Sequence, residues 1–121
     1  MVMLMNINDM SKKEYYRPLP DYLTIGEAKW LTEITGKRQL GCFATDVIYQ
    51  DTIMGITHYI DDRGEDGLIR TPLGGFFNHS EKANCAFIKD IDNGIYQIKT
   101  IRDVYEGEEL LCIYTDYDPT K

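Results

Sequence analysis

The segment Leu73-Gly74-Gly75-Phe76-Phe77-Asn78-His79-Ser80 places three uncharged polar residues directly after two glycines and two large aromatics. Asn78, His79 and Ser80 are compact donors and acceptors, the kind that close a turn or hold a polar ligand. Glycines let the backbone approach another group closely. Phe76 and Phe77 bury at least one side of the stretch. Taken alone, the segment reads as a tight core turn whose polar groups satisfy each other. Three other segments carry groups of possible chemical use. Gln39-Leu40-Gly41-Cys42-Phe43-Ala44 has a glycine inside an apolar run, the mark of a bulge or of a close backbone approach. Ala83-Asn84-Cys85 follows the Asn-His-Ser trio. Gly107-Glu108-Glu109-Leu110 leads into Tyr114 and Tyr117.

Short strands must position these groups. Tyr22–Ile25, Leu40–Thr45 and Thr52–Tyr59 are β-rich runs. Cys85–Lys89 and Ile95–Ile101 form a hairpin across Asp90–Gly94, which contains the hairpin dipeptide Asn93-Gly94. In its second strand Gln97 and Lys99 share one face, and Tyr96 and Ile98 the other. Glu106-Gly107-Glu108 turns the chain into a last apolar strand, Glu109–Tyr114. Gly26–Gly36 is bounded by glycines and short, so it reads as a loop with a helical turn. His58 and Tyr59 are better explained by strand packing than by a substrate groove. Asp61–Gly67 is acidic, but its order does not match a calcium loop, and it reads as solvated surface. The fold class is mostly β in a single domain. Residues 1–21 form an extended lead-in with two prolines, residues 22–119 the domain, and residues 120–121 a tail.

Composition narrows the function. With 121 residues, 43% of them hydrophobic, the chain can build one core without staples. Cys42, Cys85 and Cys112 are odd in number and form no CxxC pair, which argues against a disulfide framework or a metal site. That usage fits a reducing compartment, hence a cytoplasmic location, or a host-cell interior for a viral chain. Met1–Met5 is too short for a signal sequence, and nothing approaches a membrane span. The net charge of −7 argues against nucleic-acid binding, which needs a basic footprint. It suits a basic, lysine-bearing partner, although solubility alone would explain it.

In order and separation, the Gln39–Ala44, Gly75–Cys85 and Gly107–Tyr117 segments resemble the SET-domain family of protein-lysine N-methyltransferases. The minimal members from viruses, phages and bacteria are the nearest in kind. The resemblance runs from about Leu23 to Pro119. It implies several short sheets, with the C-terminal segment threading beneath the Asn-His-Ser loop as a pseudoknot. It also implies S-adenosyl-L-methionine on one face and a protein lysine entering from the other, through a narrow channel. Carried over by residue, Tyr114 would orient the lysine amine and line that channel. Asn78 and His79 would hold the cofactor, partly through backbone groups. Arg38, Leu40 and Gly41 would face its methionine portion, and Tyr117 would lie against the adenine or the channel.

The departures from the family pattern are specific. Gln39 stands for the first glycine of a Gly-x-Gly, Ala83 for a proline, and Cys112-Ile113 for Tyr-Asp. Trp30–Lys37 reads as a longer and more irregular link than usual. The cysteine-rich, zinc-binding flanks of larger members are missing. The channel would then be closed by the chain's own C-terminus or by a second copy in a homodimer. The alternative to an enzyme is a non-catalytic binding module, in which Gln39 and the altered link prevent productive cofactor binding.

Overall fold

The structure, a computed structural model, describes residues 18–113. β1 (Leu23–Glu27) and β2 (Leu40–Ala44) pair antiparallel as a two-stranded sheet. The link between them carries α1 (Lys29–Thr35). β3 (Ile53–Ile60), β4 (Leu68–Arg70), β5 (Asn78–His79), β6 (Cys85–Asp90), β7 (Ile95–Thr100) and β8 (Leu111–Cys112) form the second sheet. Their spatial order is β4-β3-β7-β6-β8-β5. The fold is mostly β, as the strand pattern of the sequence indicates.

The β6–β7 hairpin forms where Asn93-Gly94 requires it, with Asp90 opposite Ile95 and Cys85 opposite Thr100. Alternation along β7 buries Ile98 and Thr100 fully and leaves Gln97 and Lys99 partly exposed. The buried hydroxyl of Thr100 donates to the Tyr49 carbonyl (2.7 Å) and accepts from the Thr52 amide (3.0 Å), so burial leaves no orphan there. Ile98 packs with Leu23, Met54, Phe77, Val104 and Leu110 in one core.

Leu73–Gly75 forms a single 3₁₀ turn, with Leu73 and Phe77 buried and Phe76 half-buried against the core. Gly74 is required there, because a Cβ would collide with the Thr57 carbonyl oxygen and stand 3.1 Å from its carbon. The tight-turn reading therefore holds for Leu73–Phe77. Asn78 and His79 instead extend into β5.

Two expectations are corrected. The Trp30–Lys37 link is not irregular: Lys29–Thr35 is a regular helix. Gly36 closes it in the left-handed conformation, its amide bonding the Thr32 carbonyl at 2.8 Å, so this glycine is a cap and not a breaker. The final strand is not continuous from Glu109. Leu110 donates to the Cys42 carbonyl (2.8 Å), and Glu109 bridges Phe43, so this part of the chain pairs with β2. Among the described residues only Leu111 and Cys112 then join the larger sheet.

That change of partner creates the crossing. β8 runs parallel to β5, with Asn78 opposite Leu111 and His79 opposite Cys112, and parallel to β6 through Cys85 and Cys112. The Ser80 amide bonds the Cys112 carbonyl, and the Asn84 amide bonds the Leu111 carbonyl, each at 3.0 Å. The C-terminal segment thus passes between the two arms of the 78–85 loop, as a pseudoknot requires.

Candidate functional site

The polar groups gather at this crossing. Asn78 Nδ2 donates to the Leu40 carbonyl (3.0 Å) and to Glu109 Oε2 (2.8 Å). Both partners are pure acceptors, so the nitrogen side of the amide must face them, and both of its protons are used. Asn78 therefore has its side-chain oxygen left to offer a ligand, while its backbone pairs with β8.

Glu109 is the centre of the arrangement. Its second oxygen, Oε1, accepts from the indole N–H of Trp30 at 2.8 Å. Its main-chain carbonyl accepts from Asn84 Nδ2, also at 2.8 Å. The carboxylate fits because residue 41 has no side chain: a Cβ there would collide with Oε2 and stand 2.9 Å from Cδ. Glycine within β2 thus marks a close approach, made by a protein carboxylate. The neighbouring Glu108 does a different job. Its carboxylate accepts from the Tyr105 amide (2.7 Å), and its own amide returns to the Tyr105 carbonyl (2.9 Å), closing the turn before β8.

Asn84 is 1% exposed and stitches the other side of the crossing. Its amide nitrogen holds Glu109 O, and its oxygen accepts from the Leu111 amide (2.8 Å) and from the Cys85 thiol (3.3 Å). The three cysteines lie in this buried region. Burial, with the Glu109 carboxylate adding to it, pushes the Cys42 thiol up to about 12. Burial pushes Cys112 up to about 12 as well, and raises Cys85 further, with Cys112 and Cys42 contributing. The thiols stay protonated and pack as small apolar groups, not as nucleophiles.

Of the residues singled out from sequence, Leu40, Gly41 and Asn78 are brought together directly. His79 sits beside Asn78 on β5 and is exposed. Arg38 is exposed on the link between α1 and β2. Tyr114 and Tyr117 lie outside the described residues. His58 is half-buried, edge-on to Phe87 (5.8 Å) and Tyr96 (5.6 Å), with Nδ1 2.9 Å from Thr57 Oγ1; Tyr59 is exposed. The residues that sequence reasoning missed are Glu109, Trp30 and Asn84. Glu109 and Asn84 lie inside segments already singled out, and Trp30 is the chain's single tryptophan. Nothing in the spacing shows that they meet.

A family model for the SET domain matches residues 5–115. Among solved structures, a candidate histone methyltransferase of Plasmodium falciparum superposes with a TM-score of 0.58 at 16% identity, covering 85% of this chain and 100% of that one. The methyltransferase domain of human PR domain-containing protein 2 superposes with a TM-score of 0.56 at 16% identity, covering 83% of this chain and 81% of that one. The SET domain of the RIZ1 tumor suppressor gives 0.55 at 18% identity, covering 84% and 74%. No curated protein matches the chain.

Proposed function

The chain belongs to the SET-domain family, and from that premise we propose that it transfers a methyl group from S-adenosyl-L-methionine to the side-chain amine of a protein lysine. The observation that carries this reading is the crossing itself. Three segments far apart in sequence, β2, β5 and Glu109–Cys112, meet within hydrogen-bond distance of Asn78, which supports reading this crossing as the cofactor seat.

The residues present fit such a cofactor. β5 is the outermost strand of its sheet among the described residues. Leu40, 38% exposed, offers an apolar surface beside it. Asn78 Oδ1 accepts no hydrogen bond among the described residues, which leaves an acceptor for an amino group or a hydroxyl. The bound cofactor would supply an electrophilic methyl on a sulfonium. Asn78 and His79 would hold it through β5, with Arg38, Leu40 and Gly41 along its other side and Tyr117 against its adenine or the lysine channel.

The nucleophile must be a neutral amine. A lysine with a pKa of about 10.4 needs about 4–5 kcal/mol to be neutral at pH 7. A desolvated channel disfavours the ammonium form and offsets part of that cost. Tyr114 would aim the amine and exclude water; no general-base carboxylate is invoked. A basic, lysine-bearing protein suits the net charge of −7. A cytoplasmic or host-cell interior location and closure of the channel by a second copy belong to the same proposal.

The test uses the full chain, labelled S-adenosyl-L-methionine and a protein lysate. Wild type should transfer label to lysine. Tyr114→Phe should retain affinity for S-adenosylhomocysteine and lose at least about tenfold in rate, the loss expected for one misplaced orienting group. A folded wild type that binds S-adenosylhomocysteine yet labels nothing would overturn the enzyme reading, and one that binds no S-adenosylhomocysteine would favour the non-catalytic binding module.

A further inference from the structure

We propose that Glu109 is a positioning residue of the cofactor seat. It rests on the methyltransferase reading above and adds to it a residue that itself does not face the cofactor. The carboxylate has two oxygens, and each is committed: Oε2 to the Asn78 amide and Oε1 to the Trp30 indole, both at 2.8 Å. The Asn78 amide is committed too, to Glu109 and to the Leu40 carbonyl. Glu109 therefore fixes the rotamer of Asn78, turns its side-chain oxygen away from the carboxylate, and ties β5 to β2. It also fixes the end of α1 nearest the seat, through Trp30.

The arrangement is specific to a carboxylate. Both partners are N–H donors, and only a group with two acceptor atoms satisfies both. Hydrogen bonds to an ionised acceptor are the stronger kind. The two donors face different oxygens, so a glutamine there turns its own NH₂ toward one of them. Gly41 belongs to the same device, since its missing side chain is the space that the carboxylate fills. The main chain of Glu109 is held independently, by Asn84 Nδ2 at its carbonyl and by the bridge to Phe43, so the side chain can be altered without unpicking the crossing.

Calorimetry with S-adenosylhomocysteine on the full chain tests this, at a temperature well below the Tm of every variant. Glu109→Gln should weaken binding at least about tenfold relative to wild type, the loss of one charge-assisted bond. In an Asn78→Ala background the same change should cost less than about twofold, because Glu109 then has no amide to position. A purely supporting role would give equal costs in both backgrounds. Glu109→Asp keeps the charge but withdraws the carboxylate by one methylene. It should weaken binding in the same direction, and it stands in should the glutamine variant not fold. Wild-type affinity in both Glu109 variants, or a cost unchanged by Asn78→Ala, overturns the proposal and leaves the methyltransferase reading standing. A wild type that binds no S-adenosylhomocysteine overturns that reading, and this proposal with it.

Discussion

The β4-β3-β7-β6 stack and the β2–β5–β8 crossing are built in opposite ways. In the stack, β6 pairs with β7 along their full length, and β3 pairs with β4 and β7. Main-chain ladders do most of the holding, with two register shifts between β3 and β7, and side-chain bonds such as Thr57 Oγ1 to the Tyr96 carbonyl (3.3 Å) add to them. At the crossing β5 and β8 are two residues long and pair over only two positions. Side chains complete the pairing instead: Asn78 to Leu40, Asn78 to Glu109, Asn84 to Glu109 and Leu111, Trp30 to Glu109. A ladder spreads its stability over many bonds, whereas the crossing concentrates it in a few polar side chains. Removing Asn84 strands two backbone groups at once, the Glu109 carbonyl and the Leu111 amide.

Asn84→Leu should therefore cost the crossing most, because it keeps the side-chain size and removes its polarity. The Glu109 carbonyl and the Leu111 amide would each lose a partner in a site where Asn84 is 1% exposed. At about 1–3 kcal/mol per stranded group, the expected loss is about 2–6 kcal/mol in urea unfolding. A loss below about 1 kcal/mol would mean that the ladder rule extends to the crossing after all.

Two glycine substitutions separate frame from seat. Gly74→Ala places a methyl against the Thr57 carbonyl, which belongs to β3 and cannot yield. About 1–3 kcal/mol of stability should be lost, with no change in S-adenosylhomocysteine affinity among the molecules still folded. Gly41→Ala meets the far end of the Glu109 side chain, which can swing aside. It should cost less stability and instead weaken cofactor binding, because displacing the carboxylate releases Asn78. Equal behaviour of the two variants in both assays would erase the distinction between frame and seat.

The same contrast decides what the sequence reveals. The hairpin was legible because Asn93-Gly94 names its turn and Tyr96–Ile98 alternates across it. β1, β2 and β3 were legible as β-rich runs between turn residues. β5 and β8 were not, because two residues carry no period, and Glu109–Tyr114 looks equally apolar whether it pairs with one partner or changes partner midway. β4 is three residues and hides behind the acidic loop. The Asn78 segment could be singled out by residue type and family resemblance, but its fastening could not. Glu109 lies 31 residues from Asn78 and 79 from Trp30, and spacing alone does not predict a bond across such separations. Two glycines with different duties, the cap Gly36 and the clearance at Gly41, look alike in sequence.

The smallest effect belongs to the stack and tests it from inside. His58 lies on β3 among Phe87 and Tyr96, opposite Arg70 on β4. Burial, then the Arg70 charge, holds its pKa below the ordinary value. The unfolded chain, with its histidine near about 6.5, therefore takes up a proton before the folded one does. Stability contributed by the neutral ring is complete above that value and is lost as pH falls from there toward the lowered folded pKa. Comparing wild type with His58→Phe isolates the effect, since phenylalanine keeps the ring packing and cannot titrate. The stability of wild type relative to the variant should fall between pH 7.5 and 5.5. A constant difference across that range would show that the ring titrates as freely in the folded protein as in the unfolded chain. A stack secured by ladders should absorb the protonation with a modest shift in Tm, where the loss of Asn84 at the crossing should not be absorbed at all.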